Sequence, residues 1–165
     1  MSILIKRNCC PCRICCCCPC MCERLPRRRC LSDGLQASLT SDTRLISPGA
    51  RLPFNKTTAI SGNAIRHQSN GSFLLCRRGV YTIHWNVTLE GSDKTPYLRF
   101  GIRVDEQVMH EAVIPASLQQ ASGFALINVA NRSARVSLVN AGEDIVQLSP
   151  VRPCANIMIS TLNSN

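Results

Sequence analysis

The sequence contains few aromatic residues and no long apolar run. Phenylalanine, tryptophan and tyrosine make up 4% of its 165 residues. A transmembrane helix needs about 18 or more consecutive apolar residues. Charged residues and prolines interrupt every apolar stretch before that length, so we expect no transmembrane segment. In residues 1–8 (MSILIKRN) the charges follow the apolar residues and no cleavage site comes after them, which predicts that the chain has no conventional secretory signal.

The chain also lacks the motifs of common catalytic and nucleotide-binding sites. It contains no HExxH, GxSxG, P-loop or glycine-rich dinucleotide fingerprint. His110 and Glu111 are neighbours on a predicted strand, so their side chains should point to opposite faces and not into one site. These absences predict that the protein is not an enzyme and that it needs no cofactor and no catalytic metal.

Positive charge is in excess but is unevenly placed. The net charge is +9, and the first 34 residues carry seven Lys/Arg against two Asp/Glu. Beyond them the arginines are scattered along the sequence with few aromatic residues among them, which does not suit a groove that stacks nucleic-acid bases. We therefore predict no nucleic-acid partner and interpret the charges of the body as a solvated surface.

From about residue 35 onward, short β-rich runs alternate with turn signals, as in a sandwich or barrel. Residues 79–91 (GVYTIHWNVTLEG) alternate with a strict period of two, and residues 97–104 (YLRFGIRV) repeat the pattern. Residues 117–123 (SLQQASG) read as a loop. We predict eight to ten strands, no helix and an antiparallel jelly-roll β-sandwich. The apolar sides of the two clearest strands assign six residues to the core: Tyr81, Ile83, Trp85, Val87, Leu98 and Phe100.

Two parts of this β-rich region resemble a known superfamily. Residues 73–89 (FLLCRRGVYTIHWNVTL) are similar to the Gly-Val-Tyr strand of tumour necrosis factor-like and complement component 1q-like heads. Residues 123–150 (GFALINVANRSARVSLVNAGEDIVQLSP) and 155–163 (ANIMISTLN) are similar to the last strands of those heads. Within the superfamily, the resemblance is closest to the C-terminal head of bacterial collagen-like spore-surface (exosporium) glycoproteins. It covers about residues 50–165.

The resemblance implies a jelly roll that assembles as a homotrimer around a three-fold axis. It implies that the face opposite Tyr81 lies toward that axis, which would place Thr82, His84 and Asn86 near it. Three His84 imidazoles could then converge, bind a metal or an anion and make assembly sensitive to pH. The alternative is a single histidine bonded to water or protein. The spore glycoproteins carry a collagen-like stalk before the head, and this chain has no Gly-X-Y tract.

A cysteine-rich segment stands in place of that stalk. Nine of the fourteen positions from Cys9 to Cys22 are cysteine, and Cys30 follows in a stretch rich in arginine. We divide the chain into an arm (residues 1–34), expected to be disordered or extended, and a jelly-roll head (residues 35–165). Adjacent Cα atoms lie about 3.8 Å apart, whereas a relaxed disulfide needs roughly 4.4–6.8 Å. Adjacent cysteines therefore pair poorly with one another and more easily with other chains. Ten residues are predicted to form such cross-links: Cys9, Cys10, Cys12, Cys15, Cys16, Cys17, Cys18, Cys20, Cys22 and Cys30.

Other interpretations of the arm remain open. The spacings would also suit a metallothionein-like cluster that binds soft metal ions, acylation for membrane anchoring, or a reduced tail without a role. In the head, Cys76 and Cys154 are either two buried free thiols or a disulfide.

Together the arm and the head predict a structural protein of the bacterial spore surface. In this hypothesis a trimeric head is joined by disulfides to other cysteine-rich proteins of an exosporium or coat layer, or of a spore appendage. The alternatives are a secreted trimeric module that recognises a ligand or glycan, and a metal-binding protein.

Overall fold

The head is an all-β sandwich. The computed structural model describes residues 33–90 and 95–162, and within these ranges the chain forms twelve strands and no helix. The strands are β1 (Gly34–Leu39), β2 (Leu45–Ile46), β3 (Lys56–Ser61), β4 (Ile65–His67), β5 (Phe73–Leu75), β6 (Gly79–Thr88), β7 (Tyr97–Val104), β8 (Gln107–Pro115), β9 (Gln120–Val129), β10 (Ala134–Asn140), β11 (Val146–Gln147) and β12 (Ala155–Leu162).

Two five-stranded antiparallel sheets form the layers of the sandwich. The first sheet has the order β3-β1-β12-β6-β9 and the second has the order β4-β5-β10-β7-β8, while β2 and β11 form a separate two-stranded pair. Strands that are distant in sequence are neighbours in both sheets, as a jelly roll requires. The predicted antiparallel jelly roll is confirmed.

The core lies between the two sheets and contains the six residues assigned to it from the alternation. Tyr81, Ile83 and Val87 of β6 are fully buried, and Trp85 is 5% exposed. From the second sheet, Leu98 and Phe100 point toward them. Other residues are buried as well. These six occupy alternate positions of β6 and β7.

An aromatic contact joins the two layers. The rings of Trp85 and Phe100 lie with their centroids 5.5 Å apart and inclined at 49°. Such a tilted arrangement is favourable for two aromatic rings. Burying each large side chain of this kind contributes roughly 1.5–3 kcal/mol relative to leaving it in water. The contact therefore fixes the spacing of the sheets at the middle of the long strand β6.

The structure corrects three details of the strand assignment. Strand β1 was not predicted, because GLQASL is short and offers only Leu35, Ala37 and Leu39 as an apolar side. Strand β9 begins at Gln120, within the segment 117–123 that was read as a loop, because residues 120–122 pair with β6. Residues 144–150 (DIVQLSP), whose sequence also predicts a strand, supply only the two residues of β11.

A buried asparagine fixes the turn after β10. The side-chain amide of Asn140 donates hydrogen bonds to the carbonyls of Ile46 (3.0 Å) and Asp144 (2.7 Å). Its Oδ1 atom accepts a hydrogen bond from the backbone N–H of Gly142 at 3.0 Å. The side chain is fully buried, so these bonds replace water for three backbone groups. The Leu-Val-Asn-Ala-Gly segment thus has its shape set by one side chain.

We expect Asn140→Leu to lower the free energy of unfolding by roughly 3 kcal/mol, because buried backbone groups that lose their partner each cost about 1–3 kcal/mol. Denaturant unfolding followed by tryptophan fluorescence measures the change. The exposed Asn131, in the turn before β10, is the matched control, and Asn131→Leu should change stability by less than about 0.5 kcal/mol. Equal losses in the two variants would contradict the role assigned to the amide.

Candidate functional site

The outward face of the first sheet carries no formal charge on four of its five strands. Side chains alternate along a strand, so the residues between the core positions of β1, β12, β6 and β9 point away from the core. None of them is Asp, Glu, Lys or Arg, although 18% of the chain is charged. We call this surface the uncharged face, and its members are Gln36, Ser38, Val80, Thr82, His84, Asn86, Ser122, Phe124, Leu126, Asn128, Asn156, Met158, Ser160 and Leu162.

Half-exposed apolar side chains lie in the middle of the uncharged face. Phe124 is 55% exposed, Leu126 is 49% exposed and Met158 is 46% exposed. The pairing of β12, β6 and β9 places Met158 opposite His84, and His84 opposite Phe124. The imidazole and phenyl centroids are 4.7 Å apart. An apolar and aromatic ridge therefore crosses three strands, where water contacts it in the isolated chain.

The polar side chains on either side of this ridge bond to one another across the strands. Ser38 Oγ donates to Asn156 Oδ1 at 2.6 Å, and Asn156 Nδ2 donates to Asn86 Oδ1 at 3.3 Å. On the other side, the hydroxyls of Thr82 and Ser160 share a hydrogen bond of 2.7 Å. Because these groups already have protein partners, removing water from the face costs less than it would for unpaired polar groups.

A depression of about 550 Å³ lies within the uncharged face. The paired residues Gly123 and Trp85 lie beneath it at core-facing positions of β9 and β6. A Cβ atom at residue 123 would overlap the indole ring, so the glycine makes room for Trp85 on the core side. The walls include Asn86, Ser122 and Phe124. The depression between these outward side chains is open to a side chain of another molecule.

The structure places the predicted axis residues on this face. Thr82 and Asn86 are half-buried and His84 is exposed, all on the outward side of β6. A single chain brings only one imidazole to the face, so the convergence of three His84 rings at an axis stays a prediction. Sequence reasoning missed Phe124, Leu126 and Met158. One feature of the sequence could have indicated them. Residues 123–129 (GFALINV) and 155–162 (ANIMISTL) carry apolar residues at both odd and even positions, so both sides of these strands are partly apolar.

The start of the described chain is fixed to the head. Asp33 Oδ1 accepts a hydrogen bond from the backbone N–H of Asn63 at 2.8 Å, and the Asp33 carbonyl accepts one from the N–H of Thr161 at 2.8 Å. Arg77 lies 3.5 Å from the other carboxylate oxygen. The ten cysteines predicted to form cross-links lie before this point, outside the described residues. Their arm joins the head at the end of the first sheet where β12 finishes.

The two cysteines of the head are free thiols, so the disulfide considered between them is not formed. Cys154 is buried, and its thiol points to the carbonyl of Leu39 at 3.8 Å. Burial raises the pKa of the Cys154 thiol, and the positive charge of Arg152 offsets part of this effect. Cys76 is only half-buried, so the expectation of two buried thiols is correct for Cys154 alone.

The three histidines lie in different parts of the head. The Nε2 atom of His67 donates to the Phe54 carbonyl at 3.0 Å, its Nδ1 atom lies 2.9 Å from the Thr57 hydroxyl, and its ring stacks on Phe73. His110 lies on β8, next to Glu111 in sequence but on the opposite side of the strand. Within residues 33–90 and 95–162, no three His, Cys, Asp or Glu side chains are grouped closely enough to hold a metal ion. In the same ranges no helix is suited to crossing a membrane.

A second depression, of about 520 Å³, lies at the end of the second sheet. Tyr97 and Arg99 line one side of it, and Glu143 and Asp144 line the other. The turn held by Asn140 positions the two acidic residues.

The fold of the sandwich is similar to that of tumour necrosis factor-like and complement 1q-like jelly rolls. Solved structures with this fold include murine APRIL at pH 5.0 (10% identity, TM-score 0.59), which aligns over 79% of this chain and 99% of that one. The globular domain of zebrafish complement 1qA aligns at 12% identity and TM-score 0.55 over 81% of this chain and 99% of that one. The PRD1 vertex protein P5 aligns at 18% identity and TM-score 0.54 over 79% and 97%.

Comparison at the level of sequence finds no relative. No family model matches the chain, and no curated protein matches it. The likeness to the solved structures therefore defines the fold.

We expect Cys154 to resist alkylation in the folded protein, because the thiolate is the reactive form and burial keeps this thiol protonated and out of contact with the reagent. Cys76 should react faster at the same pH. Brief treatment with iodoacetamide, followed by peptide mass mapping, measures both sites, and unfolding in denaturant should bring Cys154 to full labelling. Rapid native labelling of Cys154 would contradict its burial.

Proposed function

We propose that this protein is a structural protein and not an enzyme, with a head that assembles as a homotrimer and an arm that links it covalently to a cysteine-rich layer of a bacterial spore. The observation that carries the proposal is the uncharged face, with Phe124, Leu126 and Met158 half-exposed at its centre.

The uncharged face has the properties of a surface that another copy covers. Interface centres are depleted in charged residues and enriched in aromatic residues and methionine. Here the four strands present Phe124 and Met158 and no charged residue, and the neighbouring polar groups are already paired with one another. Apolar surface buried in such a contact contributes about 25 cal/mol per Å² before the costs of association are subtracted.

The proposal of three copies rests on the superfamily that the sequence resembles. The position at which the arm joins the head supports a cyclic assembly. A rotation axis places equivalent atoms of every copy at one level. Asp33 of each copy would therefore lie at the same end of the particle, since it is fixed between the Asn63 turn and Thr161 of the first sheet. All the arms would leave from that end.

The chemistry of the arm supports covalent attachment. Each arm carries ten cysteines, and adjacent ones pair poorly with each other for the geometric reason given above. Two thiols from different chains form a disulfide when an oxidant such as oxygen accepts their two electrons and two protons. Nearby arginines favour the reactive thiolate. Several arms on one particle would keep it attached when a single bridge breaks.

The spore surface is proposed from the sequence resemblance to exosporium glycoproteins and from the cysteine content. Intact spores treated with detergent alone should retain the protein, and detergent with a reductant should release it. Release by detergent alone would remove the support for covalent attachment.

We expect the full chain in reductant to have a mass of about 54 kDa, three times its 18.1 kDa chain mass. Phe124→Glu should reduce the mass to that of one chain, because a carboxylate buried in the contact would lose its water without gaining a partner. Light scattering after size-exclusion chromatography measures both.

Val113→Glu is the matched control for this experiment. Val113 is 56% exposed on β8 of the second sheet, close to the 55% of Phe124, so both variants replace an exposed apolar strand residue with glutamate. The control should keep the mass of the unmodified chain. A monomeric unmodified chain, or an assembly that survives Phe124→Glu, would contradict the proposed interface.

We expect replacement of the ten arm cysteines by serine to leave the mass in reductant unchanged and to abolish the reductant-sensitive ladder of larger species that the unmodified chain forms in air. Non-reducing electrophoresis measures the ladder. Bound zinc or copper that co-purifies with the reduced chain and is lost in this variant would favour the metal-binding alternative. An unchanged ladder would rule out the arm as the cross-linker.

A further inference from the structure

The depression of about 520 Å³ at the end of the second sheet lies outside the surface assigned to assembly. Its volume falls within the roughly 300–1,000 Å³ that is typical of sites for small ligands. Tyr97 and Arg99, which line one side of it, occupy alternate positions on the outward side of β7. The uncharged face belongs to the other sheet, so the two surfaces are separate.

An aromatic ring in this depression is exposed to water. The chain has four Phe, two Tyr and one Trp, all of them within the described residues. Of these seven, Tyr97 (60% exposed) and Phe124 (55% exposed) are the two that are more than half exposed. Phe124 belongs to the uncharged face, whereas Tyr97 does not. The ring of Tyr97 therefore offers an apolar surface with a hydroxyl at its edge, and assembly does not account for it.

The turn that forms the other side of the depression is fixed to β7. The backbone N–H of Ala141 donates a hydrogen bond to the carbonyl of Arg99 at 2.9 Å. The next residue lies against the same strand, since a Cβ atom added to Gly142 would be 3.6 Å from the backbone nitrogen of Arg99. The amide of Asn140 bonds to Gly142 and to the carbonyl of Asp144. The backbone that carries the acidic residues is thus held in place before any ligand arrives, which lowers the cost of binding.

The depression presents charges of both signs. Arg99, Glu143 and Asp144 are all exposed. The two ion pairs found among the described residues involve Arg44 and Arg77, which lie elsewhere in the head. One guanidinium and two carboxylates therefore face the same space without forming an ion pair there. A ligand that carried charge of a single sign would be attracted by one of these sets and repelled by the other.

We propose that this depression binds a neutral sugar, the pyranose ring of a carbohydrate. The faces of such a ring consist largely of C–H groups, which can stack on the ring of Tyr97. Its rim carries hydroxyls, each of which donates and accepts hydrogen bonds. Carboxylates only accept hydrogen bonds and a guanidinium only donates them, so neighbouring hydroxyls of one sugar match both Arg99 and the acidic pair.

The position of the depression makes it accessible when the arm is attached. The Asp33 carbonyl is bonded to Thr161, near the end of β12, and β12 ends beside the beginning of β6. The depression forms where β7 begins, after β6 has crossed the head to its other end. The arm and the depression are therefore at opposite ends of the sandwich. The inference does not depend on the homotrimer or on the cross-links, but a head tethered by its arm would present this site away from the layer.

The test measures binding of methyl glycosides of glucose, galactose, mannose and N-acetylglucosamine to the full chain in reductant by saturation-transfer NMR. Each sugar is titrated to about 20 mM, which detects dissociation constants in the millimolar range. We expect at least one of the four to bind. Tyr97→Ser should weaken that binding about tenfold, because the stacking surface is lost. The double variant Glu143→Gln/Asp144→Asn should weaken it by a similar factor, because charged acceptors form the stronger hydrogen bonds.

Each variant has a matched control near the other end of the β7–β8 hairpin. Met109→Ser removes a large side chain that is 57% exposed, close to the exposure of Tyr97. Asp105→Asn/Glu106→Gln neutralises a second adjacent acidic pair in a turn. Both controls should change the affinity by less than about twofold.

Three results would overturn the proposal. The first is that none of the four glycosides binds. The second is that the controls lose as much affinity as the variants of the depression, because binding would then not be located there. The third is that free lysine, a zwitterion that also carries both signs of charge, binds more tightly than every glycoside, which would assign the site to a charged ligand.

Discussion

The pairing of β12 between β1 and β6 is the contact on which the rest of the head depends. β12 is the last strand, and it joins the first strand of the head to the long central strand through six and eight paired positions. Without it the first sheet would separate into two parts, and the uncharged face would not exist. The same strand supplies Met158 to that face and Thr161 to the attachment of Asp33. These partners are far apart in sequence, so we expect the pairing of β12 to form slowly during folding, as long-range strand contacts do.

The two sheets present opposite chemistry to their surroundings. The outward side of the first has an apolar centre, no charge on four strands and polar groups bonded to one another. The outward side of the second carries charged groups of both signs, among them Arg99, Arg135 and Glu111. Both faces rest on the same core, so a substitution such as Phe124→Glu changes one surface without touching the packing of Trp85 against Phe100. This separation allows assembly through the first sheet to be tested without changing the second.

The sequence predicted the class of fold and the core but not the surfaces. Strict alternation from Tyr81 to Val87 and from Leu98 to Val104 was sufficient to assign the inward positions, because a half-buried strand has a period of two. β1 was missed because small and polar residues weaken its alternation. Phe124, Leu126 and Met158 were missed because a one-chain pattern does not distinguish an apolar residue that faces the core from one that another molecule covers. The proximity of Arg66 and Arg135 in the second sheet was not predicted either, because both lie opposite Leu74 only through strand order, which alternation along one strand does not give.

The attachment of Asp33 has a mechanical consequence. The arm is continuous with β1, and β1 is hydrogen-bonded on both sides, to β12 and to β3. A pull on the arm along the strand direction loads all six register pairs between β1 and β12 in shear at the same moment, together with those to β3, instead of opening them one after another. The head would therefore resist tension that is applied to the start of its first strand.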